Sequence, residues 1–233
     1  MELEGLKRSI EERLLHLPGD LVINDVDGIR KYVLRAYLNR LDVLHIDVGS
    51  GNSSLTSKEI ILRVVFELIT KGIYILYNEE YLCNRFTYEL IRINNLSDQE
   101  QIPAELVKST IKAKQILSKH NKEELKEYCH KYSLENIFRK LAGERDFGDS
   151  FKKWYKYIYR LYSPVVHSDF TQVIMDFPPE KDEYMLLKLV EILMLMLFEE
   201  MIDFYKWNDL EFDLSKLVKH NFDSVEKHNK EIF

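Results

Sequence analysis

Two cysteines, Cys83 and Cys129, are all that this chain of 233 residues contains. They stand far apart and form neither a C-x-x-C nor a C-x-x-C-H pattern, so neither a disulfide framework nor a zinc site is suggested. A reducing, cytoplasmic setting is the expectation. Five prolines and eight glycines are equally sparse, and a succession of short strands joined by turns needs more of both. Positive charge is in deficit too: 33 lysines and arginines face 39 acids, a net charge of −6. That argues against a surface made throughout for nucleic acid or anionic lipid, so any such binding has to be local.

Long uncharged runs are also missing. The most apolar stretch, YMLLKLVEILMLMLFEEMIDF (184–204), is interrupted by Lys188 and Glu191 and then by Glu199, Glu200 and Asp203, whereas a spanning helix needs about 20 nearly uncharged residues. It reads as the central helix of a water-soluble core, with no membrane partner. The opening MELEGLKRSIEERLL carries acids through its first turns and has no apolar h-region, unlike a signal peptide.

What the chain does have is helical periodicity almost everywhere, which predicts an all-α, single-domain multi-helix bundle with a long buried central helix near the C-terminus. A first helix, roughly 2–17, repeats Leu6, Ile10 and Leu14; a second, about 26–45, presents Ile29, Val33, Tyr37 and Leu41 on one face. Thr56 and Glu59 form a capping-box pattern opening the very apolar ILRVVFELITKGIYIL. Further helix starts are signalled at Ser97, Pro103, Asn121 and Asp149 or Ser150. The domain is expected over 1–206, followed by a polar extension at 207–233 that is either a docked helix or a frayed tail.

Several short patterns invite chemistry. GSGNSS (49–54) lacks the Lys-Ser/Thr ending of a P-loop and reads as an inter-helix loop. Asp42, His45 and Asp47 cluster, as do His120 and His130, but none has H-E-x-x-H or a comparable spacing, so no metal and no cofactor is assigned. Arg63 and Glu67, four apart on an apolar helix, are costly to bury unless they meet. They form either a structural ion pair or the wall of a polar pocket. In YRLYSPVVHSD (159–169), Tyr159, Ser163 and His167 recur every four residues and so form one helical stripe. Arg160 returns to nearly the same face as His167, and Pro164 bends the helix between them. The bland alternative is a packing kink with interior polar groups satisfied.

The helix with Arg63 and Glu67, then YNEEYLCNRFTYE, then the Tyr159/Ser163/His167 stripe, resemble the paired R-x-x-x-E and Y-x-x-x-S-x-x-x-H signatures of a bacterial family of unknown function, number five-six-seven-seven. The resemblance covers about residues 25–206. It implies an all-helical domain whose two motif helices face a common pocket. Arg160 and His167 also resemble the R-x(4–6)-H pattern of the higher-eukaryote-and-prokaryote nucleotide-binding superfamily, with six residues between them. This chain departs from that pattern in having Leu161 straight after the arginine and a proline within the motif.

Two functions follow as expectations. The first, implied by the superfamily resemblance, is a metal-independent ribonuclease of toxin or phage-defence type, acting as a homodimer on RNA. His167 would be general acid or base, Arg160 would stabilise the phosphorane, and Ser163 or Tyr159 would orient them. Lys152, Lys153, Lys156 and Arg139, interleaved with Trp154, Tyr155 and Tyr157, would supply the local basic and aromatic surface. The second is a non-catalytic helical binding or interaction module in which Arg63, Glu67, Ser163 and His167 form a structural network.

Overall fold

The computed structural model describes residues 3–14, 25–96, 127, 131–144, 183–210, 216–217, 219–221 and 223. The protein is all-α, and none of the described residues lies in a strand. Helix α1 spans Leu3–Leu14 and buries Leu6, Ile10 and Leu14, the stripe that the sequence predicts. Helix α2 spans Val26–Gly49, four residues longer than its periodicity suggests. The Asp25 carboxylate caps its start by accepting from the Gly28 amide at 3.1 Å, which satisfies one of the orphan donors of the first turn.

Helix α3, Leu55–Tyr77, begins one residue before Thr56, the predicted cap. Its cap is Ser54, whose hydroxyl accepts from the Ser57 amide at 3.2 Å; Thr56 is already inside the helix. Serine is a good cap, and Ser54 is extended while its carbonyl takes the first helical bond, from Lys58. One residue, Asn78, then ends α3 and starts α4, Glu79–Leu96. Its amide donates to the Tyr74 carbonyl at 3.1 Å and its side chain accepts from the Tyr81 amide at 2.8 Å. Helix α5 is Leu134–Glu144 and α6 is Glu183–Tyr205.

Helix α6 lies against α3, α2 and α1, while α5 packs on α3 and α4 on α2. Ile192 to Leu195, with Leu197 and Phe198, are all buried. A helix that is apolar around its circumference is a core helix, and this is the predicted central helix. One hydrophobic core runs through the described residues of all six helices. After α6 the chain turns at Lys206 and stacks Trp207 on Tyr205, ring centroids 4.8 Å apart. Arg13 of α1 holds this turn by a two-pronged bond to Asp209, at 3.1 and 2.6 Å. Of the polar extension, Trp207, Leu210 and Leu217 pack against the core and Asn221 is buried. The helix starts predicted at Ser97, Pro103, Asn121 and Asp149 or Ser150 lie outside the described residues.

Candidate functional site

Helix α3 carries charge where its apolar neighbours bury it. Near its start, Lys58 is 1% exposed and its ammonium meets the Glu183 carboxylate of α6 at 2.6 Å. Further along, Arg63 is 7% exposed, and its Nε lies 3.5 Å from Glu67 Oε1. Lys71 approaches the other oxygen, Oε2, also at 3.5 Å. Arginine, glutamate and lysine therefore succeed one another a turn apart on one helix face, and the predicted pairing of Arg63 with Glu67 is present. At 3.5 Å these are electrostatic contacts rather than short hydrogen bonds, which lets each cation offset the carboxylate without a fixed fork.

Arg139, on α5, is an exposed side chain bonded to Glu135 one turn back at 2.6 Å. Tyr159, Arg160, Ser163 and His167, with Lys152, Lys153 and Lys156, lie outside the described residues, as do His120, His130 and Cys129. Asp42, His45 and Asp47, clustered in sequence, separate in space: Asp42 pairs with Lys7 of α1, His45 turns toward Glu191 of α6, and Asp47 is exposed. Among the described residues no group of three or more His, Cys, Asp or Glu side chains is arranged to hold a metal ion, and no helix is long and apolar enough to cross a membrane.

A pocket of about 360 Å³ opens where α1, α2, α6 and the C-terminal residues meet. Helix α1 contributes Leu3 and Glu4, α2 His45, and α6 Lys188, Glu191 and Leu195; Leu217, His220 and Asn221 close the other side. Its volume falls within the range of small-molecule sites, about 300–1,000 Å³. Glu191 is the polar centre, 13% exposed at its side chain, with Lys188 Nζ 2.7 Å from Oε2 and His45 Nε2 3.6 Å from Oε1. Burial pushes the Glu191 carboxyl up, but its contacts with His45 and Lys188 outweigh that and hold it below the ordinary carboxylate value. The 3.6 Å separation is too long for a hydrogen bond, and His45 Nε2 is buried without a bonded partner. The attraction between the two side chains is therefore electrostatic and fully developed only when the imidazole is protonated.

Sequence reading passed over this pocket. Lys188 and Glu191 counted there only as charges that interrupt an apolar run, although an i,i+3 pair of opposite sign inside a core helix is itself a sign of a polar cavity or partner. His220 and Asn221 gave no signal, because their position beside α6 depends on the path of the chain after Tyr205. Comparisons of the chain with family models, with curated proteins and with solved structures found no match.

Proposed function

We propose that the protein is a non-catalytic helical binding module in which the charges of α3 serve the fold and the pocket beside α6 receives a ligand. The observation that carries this reading is the arrangement at Glu67, whose two oxygens face Arg63 and Lys71, each at 3.5 Å. Opposite charges that meet on one largely buried helix face support the packing of that helix, and Arg63 Nε faces a carboxylate of its own helix.

A metal-independent ribonuclease is the second reading. It rests on the spacing of Arg160 and His167 and on the resemblance to the family of unknown function and, through it, to the nucleotide-binding superfamily. In that reading His167 moves the proton, Arg160 meets the phosphorane, Ser163 and Tyr159 orient them, and two copies of the chain form the cleft. Lys152, Lys153, Lys156 and Arg139 would track the RNA backbone. Both readings suit a reducing, cytoplasmic setting.

Purified protein and a His167→Ala variant of equal thermal stability, incubated with labelled single-stranded and structured RNAs in excess chelator, separate the two. The binding-module reading expects no difference between them. Cleavage by the wild type alone, leaving 2′,3′-cyclic phosphate ends, overturns it in favour of the ribonuclease.

A further inference from the structure

We infer that the solvent-facing side of α2 is a contact surface for a second copy of this chain: the two α2 helices pair antiparallel, Val43 against the partner's Ile46 and Arg40 against the partner's Asp47. The inference goes beyond the reading above and holds whether or not the chain cleaves RNA.

Helix α2 buries Leu38, Leu41, Leu44 and Val48 in the core of its own bundle. Val43 and Ile46 point the other way, 48% and 67% exposed, the two most exposed large hydrophobic side chains among the described residues. Single apolar residues on a surface are ordinary, but these two stand three apart and so share one face. Their spacing is that of positions a and d of a heptad, the seam along which one helix packs on another. Ala36 and Asn39, the preceding a and d positions, are exposed and uncharged, so the seam continues without a charge to oppose a second helix.

Charge decides which helix fits and in which direction. With Val43 at a and Ile46 at d, Arg40 and Asp47 both fall at e, beside the seam. Both are exposed, and neither meets an opposite charge among the described residues. Seven residues apart, about 10.5 Å along the axis, they cannot meet each other. In an antiparallel pair, e positions face e positions. Laying Val43 against the partner's Ile46 therefore brings Arg40 to the partner's Asp47, and two-fold symmetry makes the same contact a second time. A parallel pair instead sets g against e: Arg35 would face the partner's Arg40 and Asp42 the partner's Asp47, like on like at both steps. The face is thus self-complementary in one orientation, which singles out a second copy as its occupant. Two large apolar side chains per copy make a small interface, so the dimer is a transient one.

Sedimentation of the full-length protein checks this. The wild type is expected to pass from monomer to dimer with a Kd of roughly 0.1–1 mM, as a small interface allows, and to associate less in added salt. Ile46→Ser, at an exposed position, should weaken the dimer by removing an apolar contact on each side of the two-fold axis. Arg40→Asp and Asp47→Arg each turn two attractive contacts into repulsive ones and should weaken it roughly tenfold. In an equimolar mixture of these two charge variants, one chain carries two acids and the other two bases, so association should return to at least the wild-type level. Thermal midpoints matching the wild type establish that each variant is folded. A wild type that stays monomeric up to about 1 mM, a dimer indifferent to Ile46→Ser or to either charge reversal, or a mixture that associates no better than its components would each overturn the proposal.

Discussion

Arg30 Nε donates to the carbonyl oxygen of Ile75 at 3.1 Å, so a side chain of α2 caps the last turn of α3. Helix ends leave carbonyls unpaired and carry partial negative charge, which a guanidinium satisfies on both counts. The same group lies 3.6 Å from Asp27 in its own helix, 3.6 Å from Glu79 at the start of α4, and 4.9 Å above the Phe204 ring of α6. One side chain, 4% exposed, thus ties together the ends of four helices.

Replacing it removes the donor and leaves the Ile75 carbonyl buried. Arg30→Met is expected to lower the unfolding free energy by about 2–3 kcal/mol, as losing a charge-assisted bond and stranding its acceptor does. Arg30→Lys should recover less than half of this, because an ammonium cannot present a planar fork to several partners at once. Urea-unfolding midpoints of the three proteins check both statements. Equal stability of Arg30→Lys and wild type would show that charge alone suffices.

Lys206 has a φ of 53°, left-handed, at the end of α6. The Trp207 amide donates to the Ile202 carbonyl at 3.0 Å and the Lys206 amide to Asp203 at 3.4 Å, the pair of bonds that closes a helix by a Schellman turn. That position suits glycine, and a side chain there costs about 1–2 kcal/mol. Lys206→Gly is therefore expected to raise stability by about 1 kcal/mol after the added entropy of the unfolded glycine. A fall in the thermal midpoint would contradict it.

Gly72 in α3 is where the central helix comes closest. A Cβ there would stand 3.0 Å from one terminal carbon of Leu197 and 3.4 Å from the other. Gly72→Val is expected to cost about 1–3 kcal/mol through overpacking. Gly72→Ala should change little, since the helix-propensity gain of about 1 kcal/mol offsets a small shift of Leu197. The contrast between the two variants in chemical unfolding is the measurement, and similar losses in both would mean that the contact is not between Gly72 and Leu197.

Glu191 predicts an acid limb of stability. Its carboxyl is held below its ordinary value of 4.5, so the folded state binds its proton less readily than the unfolded chain. That contribution is present above the unfolded value and is lost as pH falls through the folded one. Glu191→Gln should lose less stability than the wild type between neutral pH and the acid side of that value. Parallel curves for the two proteins would remove Glu191 from the account.

How much of this was legible beforehand differs from element to element. The stripe Leu6, Ile10 and Leu14 and the apolar run of α6 were, because a 3.6-residue repeat is a local property and burial follows it. Ser54 was not: Thr56 with Glu59 offered a rival cap, and the choice between two hydroxyls two residues apart is made by the path of the loop before them. Arg63 and Glu67 were legible as a pair because four residues on one helix fix their separation. Lys71, which shares Glu67 with Arg63, stands at the same four-residue spacing and was legible by the same rule, though the sequence reading did not single it out.

The sequence by itself determined the class of fold, the central place of α6 and the pairing of charges within a helix, since each depends on residues no more than a few turns apart. Tertiary structure alone decided that Arg30 would end α3, that Arg13 would clamp Asp209, and that His45, Glu191 and Asn221 would border one pocket. Those contacts join residues far apart in the chain, and the docking of whole helices sets which of many possible partners each side chain meets.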